Sequence, residues 1–350
     1  MSVFLNQAFN SITTNTSPDT VYKLTTSEKR SLLEPFTLAG LSQLLSKMVS
    51  RGISAPGTDR ISYTAWHKAW HLCGQPIVNL TNYLLLHGEI LHNSTVGDVL
   101  IRLIPKKAYV ASAPNTKDLR PISFGNSSFR LILNAIKERL TPIVQRLVGS
   151  TQQAFLPTRT IHRSIQTARM VASFIQQKPQ STESIFMIDL EKVFDRVRIE
   201  CIDKLLAWFG FPDRIVSLLV SSQVCGKARL LNGKLIVEAP IPLRRGLRQG
   251  FGTSVITFNL AIEPLLRMIE QKLASILYCP LNNLGYFSSQ TSEQITQAYS
   301  TKVKAQAYAD DLAGYAKDFN DIKLTLELAK QFGSFSGLQT VKQRQIHCSH

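Results

Sequence analysis

Apolar residues recur at helical spacing in some stretches of the chain and crowd or alternate in others. PFTLAGLSQLLSKMV (35–49) opens after a proline and repeats its apolar positions every three or four residues, which predicts a helix. In YTAWHKAWH, Trp66 with Trp70 and His67 with His71 fall four apart, as the faces of one amphipathic helix. Leu133, Ile136, Leu140, Ile143 and Leu147 predict a long helix from Arg130 to Leu147, bent at Pro142. Ile161, Ile165, Ala168, Ala172 and Ile175 mark the next one. Ile202, Leu205, Leu206 and Phe209 mark another, stopped by Gly210 and Pro212. Two more follow, one through Phe258, Ile262, Leu265, Ile269 and Leu273, the other from about Asp321 to Phe332. VLIRLIP (99–105) and SIFMIDL (184–190) are short apolar runs that read as strands. KARLLNGKLIVEAPI predicts a hairpin turning at Asn232-Gly233. VKAQAYADDLAGYA (303–316) sets two carboxylates between two apolar runs. Strands and helices mix without regular βαβ alternation or a fixed repeat, so the expected class is α+β.

The polar stretches frame these elements. Residues 2–18 carry no charge and read, with the next few, as a disordered tail over 1–22. KPQSTES (178–184) reads as a loop, and 282–301, rich in Asn, Ser, Gln and Thr, as an exposed insertion. The 350 residues are 44% hydrophobic, which excludes wholesale disorder. No stretch reaches the ~18 consecutive apolar residues of a membrane span. Lys and Arg number 40 against 24 Asp and Glu, a net charge of +16, and a chain biased this way suits a polyanion such as nucleic acid. Five widely spaced cysteines with no CxxC pair suit a reducing compartment rather than a disulfide framework.

Acids are scarce, and three stand in unusual places. Asp189 ends the apolar run IFMID, while Asp310 and Asp311 adjoin in AYADDLAGYA. Side chains of a strand alternate between faces, so a pair within one strand sends one acid to the wrong side; a tight hairpin relaxes that rule. Three carboxylates gathered near one point repel each other and are tolerated when cations neutralise them. Hard divalent ions with oxygen ligands meet that need, Mg²⁺ first among them. Two such ions held by shared aspartates suit in-line phosphoryl transfer. GxxxxGK[ST], GxGxxG, GxSxG and HExxH are absent, which argues against P-loop NTPases, dinucleotide enzymes, α/β-hydrolases and zincins.

The order of short motifs resembles that of the reverse transcriptases of non-LTR (LINE-type) retrotransposons. APGTD (55–59) resembles that family's APGPDG, and LIPKK with LRPIS (119–123) its IPK…RPIS segment. TQQAFLPTR (151–159) is similar to DQxGFxxxR. IDLEKVFDRV (188–197) is similar to the DxxKAFDxV of motif A, and LRRGLRQGFGTS (243–254) to the GVRQGDPLS of motif B. AYADD (307–311) is similar to motif C and FSGLQ (335–339) to the SGLK start of motif D. The seven motifs stand in family order across roughly residues 35–340.

The resemblance implies a right-hand polymerase, with fingers over 23–177 and palm over 178–340. An antiparallel palm sheet would pack on helices, 341–350 would be a truncated tail, and the thumb would be missing. Asp189, Asp310 and Asp311 would be the catalytic, metal-ligating acids, holding two Mg²⁺ ions, with Mn²⁺ as a substitute. Leu190 would offer its backbone carbonyl to a metal. Phe194 would lie under the sugar C2′ and exclude a 2′-OH, selecting dNTPs. Arg120 would grip the triphosphate and Lys106 match the fingers lysine. Gln249 and Gly250 would form the motif B turn, and Arg159 would be template-facing or structural. The implied activity is RNA-directed DNA polymerisation from dNTPs on an RNA template and DNA primer, in the nucleus and off the membrane. Thumb and endonuclease functions would come from elsewhere. The alternative is a truncated, inactive retroelement remnant that only binds nucleic acid; a viral RNA-copying polymerase fits the acid pair but not Phe194.

Several positions depart from the family pattern. Phe251 and Gly252 replace the Asp and Pro of motif B, which would add bulk to that loop and loosen it. Val193 stands for Ala and Arg60 for Gly. Arg344 takes the motif D lysine position, where its high pKa makes it a poorer proton donor.

Overall fold

A computed structural model describes residues 1–10, 22–52, 55–90, 94–106, 118–178, 180–233, 235–278 and 301–346. In chain order the strands are β1 (Val99–Pro105), β2 (Leu119–Gly125), β3 (Ser184–Leu190), β4 (Ala228–Asn232) and β5 (Leu235–Ile236). They continue with β6 (Ile276–Tyr278), β7 (Thr301–Val303), β8 (Ala305–Tyr308), β9 (Asp311–Ala316) and β10 (Thr340–Ile346). Helices run between them, so the class is α+β. The chain divides into two compact units, each assembled from separated stretches. One holds Met1–Val21, Gln145–Val193 and Asn259–His350; the other holds Tyr22–Val144 and Phe194–Phe258.

In the first unit the order β10-β3-β9-β8 forms a palm-like sheet in which every neighbouring pair is antiparallel. The apolar run SIFMIDL is β3 itself, with the expected limits. Its alternation sends Phe186, Ile188 and Leu190 inward and leaves Met187 and Asp189 exposed. Phe186 pairs with Gly314, whose missing side chain makes room for the ring: a Cβ there would come within 2.1 Å of it. On the opposite face Ile185 and Tyr315 cluster with Val171 and Ile175 of the helix Ile161–Gln176 and with Ile276 and Val303. Beside that cluster a cavity of about 400 Å³ is lined by Ile165, Ala168, Met187, Ala313 and Asp311, among others.

Two stretches of this unit differ from the expectation of tails. Ser2–Asn10 is a helix with Phe4, Leu5, Ala8 and Phe9 buried. Lack of charge there reflects burial, not disorder: Phe4 packs on Phe332 and Phe335, at centroid distances of 5.9 and 5.2 Å. Residues 340–346 add the edge strand β10 alongside β3, placing Arg344 opposite Met187 in the register. Apart from Thr301, the insertion read over 282–301 lies outside the described residues.

In the second unit the sheet order is β2-β1-β4-β5, with β1 antiparallel to β2 and parallel to β4. The hairpin at Asn232-Gly233 forms as expected, Gly233 supplying φ +62°. Leu41, Leu44, Leu45, Ile77, Val78 and Leu131 build a helical core. The single helix expected around Trp66 and Trp70 is two, Tyr63–Lys68 and Trp70–His87, meeting at Ala69. APGTD is held by Asn126, just after β2, whose Oδ1 accepts from Thr58 Oγ1 (2.7 Å) and the Asp59 amide (3.1 Å). Among the described residues, no helix is long and apolar enough to cross a membrane.

Candidate functional site

The two acids that the sequence places on separate strands meet in the first unit. Antiparallel pairing of β3 with β9 sets Asp189 directly opposite Asp311, so both side chains share one face, and both are exposed. Partial desolvation by its neighbours raises the Asp311 pKa above the usual carboxylate value, and the facing Asp189 charge adds to the rise. Asp310 sits beside them, half-exposed, in the two-residue turn between β8 and β9. Leu190, next to Asp189, is a buried residue at the end of β3. Among the described residues no group of three or more His, Cys, Asp and Glu side chains is close enough to hold a metal ion, so the arrangement is a facing pair with a third acid adjoining. The pair's oxygen donors suit a hard cation, whose charge would relieve the repulsion between them.

The turn between β8 and β9 takes an unusual shape. Its first residue, Ala309, has φ +57°, in the left-handed region that side chains disfavour. The TQQAF segment lies alongside it. Gln152 bridges in parallel to Ala307, and Gln153 N–H donates to Ala307 O (2.7 Å) while Ala307 N–H donates to Thr151 O (2.8 Å). The fully buried Gln152 side chain meets the Ala309 backbone. Sequence reasoning gave Gln152 no role; its only signal was its place in a family motif. Arg159 donates to the carbonyls of Gln145, Val148, Gly149 and Gln152, at and beyond the end of the helix Ser127–Leu147. Of the two roles open to it, the structure gives it the structural one.

Glu263 in the helix Gly252–Lys272 is fully buried in the same unit. It accepts from the Gly149 amide at 2.8 Å and pairs with Arg267. Burial outweighs both and pushes its carboxyl up to about 7.

The expected nucleotide contacts fall in the second unit. β1 and β2 place Ile104 opposite Arg120, and Lys106 follows with its amide donating to Asp118 O at 2.8 Å; both basic side chains are exposed. Motif B runs under β2. Ser123 N–H donates to Gln249 O (2.8 Å), and Gly250, at φ +116°, passes so close that a Cβ would lie 2.5 Å from Ser123 O. The Gln249 amide donates to Asp195 Oδ1 at 3.0 Å, joining motif B to motif A. Gly246 and Leu247 reinforce the join, their amides donating to Val197 O and Phe194 O. Phe194 is half-buried and stacks on Phe258, with ring centroids 4.8 Å apart.

Phe251 does not add bulk to the loop. It is buried against Phe129 at 5.8 Å and over Gly125, where a Cβ would come within 2.7 Å of its ring. Gly252 is likewise filled in, by Asn134, whose Oδ1 would stand 2.6 Å from a Cβ there. Beside them Arg248, unassigned by sequence, is buried and donates to the carbonyls of Gly97, Gln223 and Cys225.

An antiparallel palm-like sheet, facing aspartates and a hairpin-borne acid pair describe a nucleic-acid polymerase domain, and comparison with known families agrees. The family model described as reverse transcriptase (RNA-dependent DNA polymerase) matches residues 104–344, and the chain belongs to that family. Proteins of transposable elements are among its relatives. A transposon TX1 uncharacterized 149 kDa protein of Xenopus laevis is 25% identical over 308 residues, 88% of this chain and 22% of that protein. The retrovirus-related Pol polyprotein from the type-2 retrotransposable element R2DM of Drosophila melanogaster is 24% identical over 288 residues, 82% of this chain and 24% of its own length. The chain thus spans about a quarter of these relatives.

Proposed function

We propose that this chain performs RNA-directed DNA synthesis, adding dNTPs to the 3′-OH of a DNA primer on an RNA template. The observation that carries this reading is the register pairing of Asp189 with Asp311 beside Asp310, on the sheet that motifs A and C build. In this reading the facing pair Asp189 and Asp311, with Asp310 adjoining and the Leu190 carbonyl, would hold two Mg²⁺ ions, or Mn²⁺ in their place. Bound there, such ions would supply acidification of the attacking hydroxyl and neutralisation of charge on the leaving pyrophosphate. Arg120 supplies a planar fork of donors for phosphate oxygens, and Lys106 a second cation. Phe194, kept from swinging aside by Phe258, presents an edge that a 2′-OH would strike. Gln249, fixed through Asp195, and the bare backbone of Gly250 shape the floor beneath the nascent base pair. Fingers over 23–177 and palm over 178–340 are the corresponding parts of the hand.

The burial of Phe251 favours this reading over an inert remnant, because the altered motif B repacks rather than obstructing its loop. Primer extension on poly-rA/oligo-dT with Mg²⁺ and dTTP tests it. Extension that needs Asp310 is the expected result. Salt-dependent binding of template-primer without incorporation would leave only nucleic-acid binding.

A further inference from the structure

We propose that Gln152 is a positioning residue for this polymerase, the clamp that holds the turn carrying Asp310 and Asp311 in its active shape. The inference rests on the polymerase reading above and adds a residue outside the site it describes. The turn begins with Ala309 at φ +57°, a conformation that an L-residue adopts when its surroundings impose it. Here one side chain imposes it. The Ala309 amide donates to Gln152 Oε1 at 3.0 Å, and Gln152 Nε2 donates to Ala309 O at 3.3 Å. The same Oε1 accepts from the Ala154 amide at 3.0 Å, which fixes the side chain in turn. Gln152 is fully buried and Ala309 nearly so, so water cannot stand in for these bonds.

The chemistry demands this residue type. Accepting from one backbone amide while donating to the carbonyl of the same residue needs a primary amide. An ionised Glu accepts only, Met matches the length without polar atoms, and Asn falls one methylene short. The segment that carries Gln152 is bonded to Ala307 of β8 on both sides, so the amide is aimed by a backbone bridge to that strand. Asp310 follows Ala309 directly, and Asp311 opens β9. A change of φ at Ala309 therefore redirects Asp310 and strains the start of β9, where Asp311 faces Asp189.

Hydrogen exchange over residues 305–312 of the full chain, together with primer extension across a Mg²⁺ series, tests the clamp. Gln152→Met is expected to speed exchange of the Ala309 amide at least about tenfold. It should also lower kcat about tenfold, with KM for dTTP nearly unchanged and the Mg²⁺ requirement raised. Ala309→Gly, which takes positive φ without penalty, should stay within about twofold of the parent and recover most of the kcat lost in Gln152→Met. A merely structural role would not give that recovery. Unchanged exchange at Ala309, or no recovery by Ala309→Gly, overturns the proposal. If Gln152→Met does not fold, Gln152→Asn carries the same test, with the same two outcomes. If the unaltered chain extends no primer while the Gln152 variant still releases the Ala309 amide, the clamp stands and the polymerase reading falls.

Discussion

Asp189 faces Asp311 across one antiparallel pair of strands, two acidic side chains held in register on one face. Like charges in directly opposite positions destabilise a sheet by up to about 1 kcal/mol. Asp311→Asn is therefore expected to raise the melting temperature while depressing primer extension. Mg²⁺ should raise the melting temperature of the parent more than that of the variant. A melting point that falls on this substitution would show that the pair does not repel.

Asp310→Ala should abolish primer extension while leaving the sheet intact, since Asp310 lies in the turn and outside both strands. Circular dichroism and template-primer binding check the fold, and incorporation of radiolabelled dTTP reads the chemistry. Extension that survives would move the metal site elsewhere.

Phe194 stacks on Phe258, so its ring has a fixed edge. Phe194→Val should reduce the preference for dTTP over UTP by tenfold or more, through better use of UTP. It should also cost about 1–2 kcal/mol of stability from the lost ring contact. Comparing kcat/KM for the two nucleotides separates the effects, because lost stability alone lowers both equally.

Gly250 combines φ +116° with a 2.5 Å approach of any added Cβ to Ser123 O. Gly250→Ala meets both obstacles and should lower the unfolding free energy by about 2–3 kcal/mol or more. Urea denaturation measures this. A near-neutral result would mean that motif B lifts freely off β2.

Glu263 makes stability depend on pH. Its folded pKa of about 7 lies above the ordinary 4.5, so the folded state holds a proton that the unfolded chain releases. The contribution is complete below pH 4.5 and is lost as pH rises through about 7, a loss on the order of 3 kcal/mol. Glu263→Gln keeps an acceptor for the Gly149 amide and should flatten that part of the profile. Parallel urea curves for the two proteins at acidic and alkaline pH would show that Arg267 keeps the carboxylate charged throughout.

Local pattern was legible where local chemistry decides the outcome. SIFMIDL is β3 to the residue, and Asn232-Gly233 turns its hairpin, because a buried strand and a left-handed turn each leave a mark within a few residues. The Ser2–Asn10 helix was missed because its uncharged composition reads like a tail; burial of Phe4 and Phe9 against a distant helix carries no local sign. The acids were legible as candidates from their apolar flanks, whereas the opposition of Asp189 and Asp311 needs the strand register. Gln152, Arg248 and the inward turn of Phe251 escaped notice for the same reason: their partners are backbone groups or rings far along the chain.

The amide of Gln152 and the backbone of Ala309 are 157 residues apart in sequence. A contact of that span forms only after all the residues between its partners have been made, and loop closure makes it slow. The turn bearing the acids therefore sets later than the local hairpins and helices around it. Until then the nascent chain exposes unpaired strand edges, a state open to aggregation and to chaperone capture. A turn held from so far along the sequence makes its own assembly a slow and vulnerable step of biogenesis.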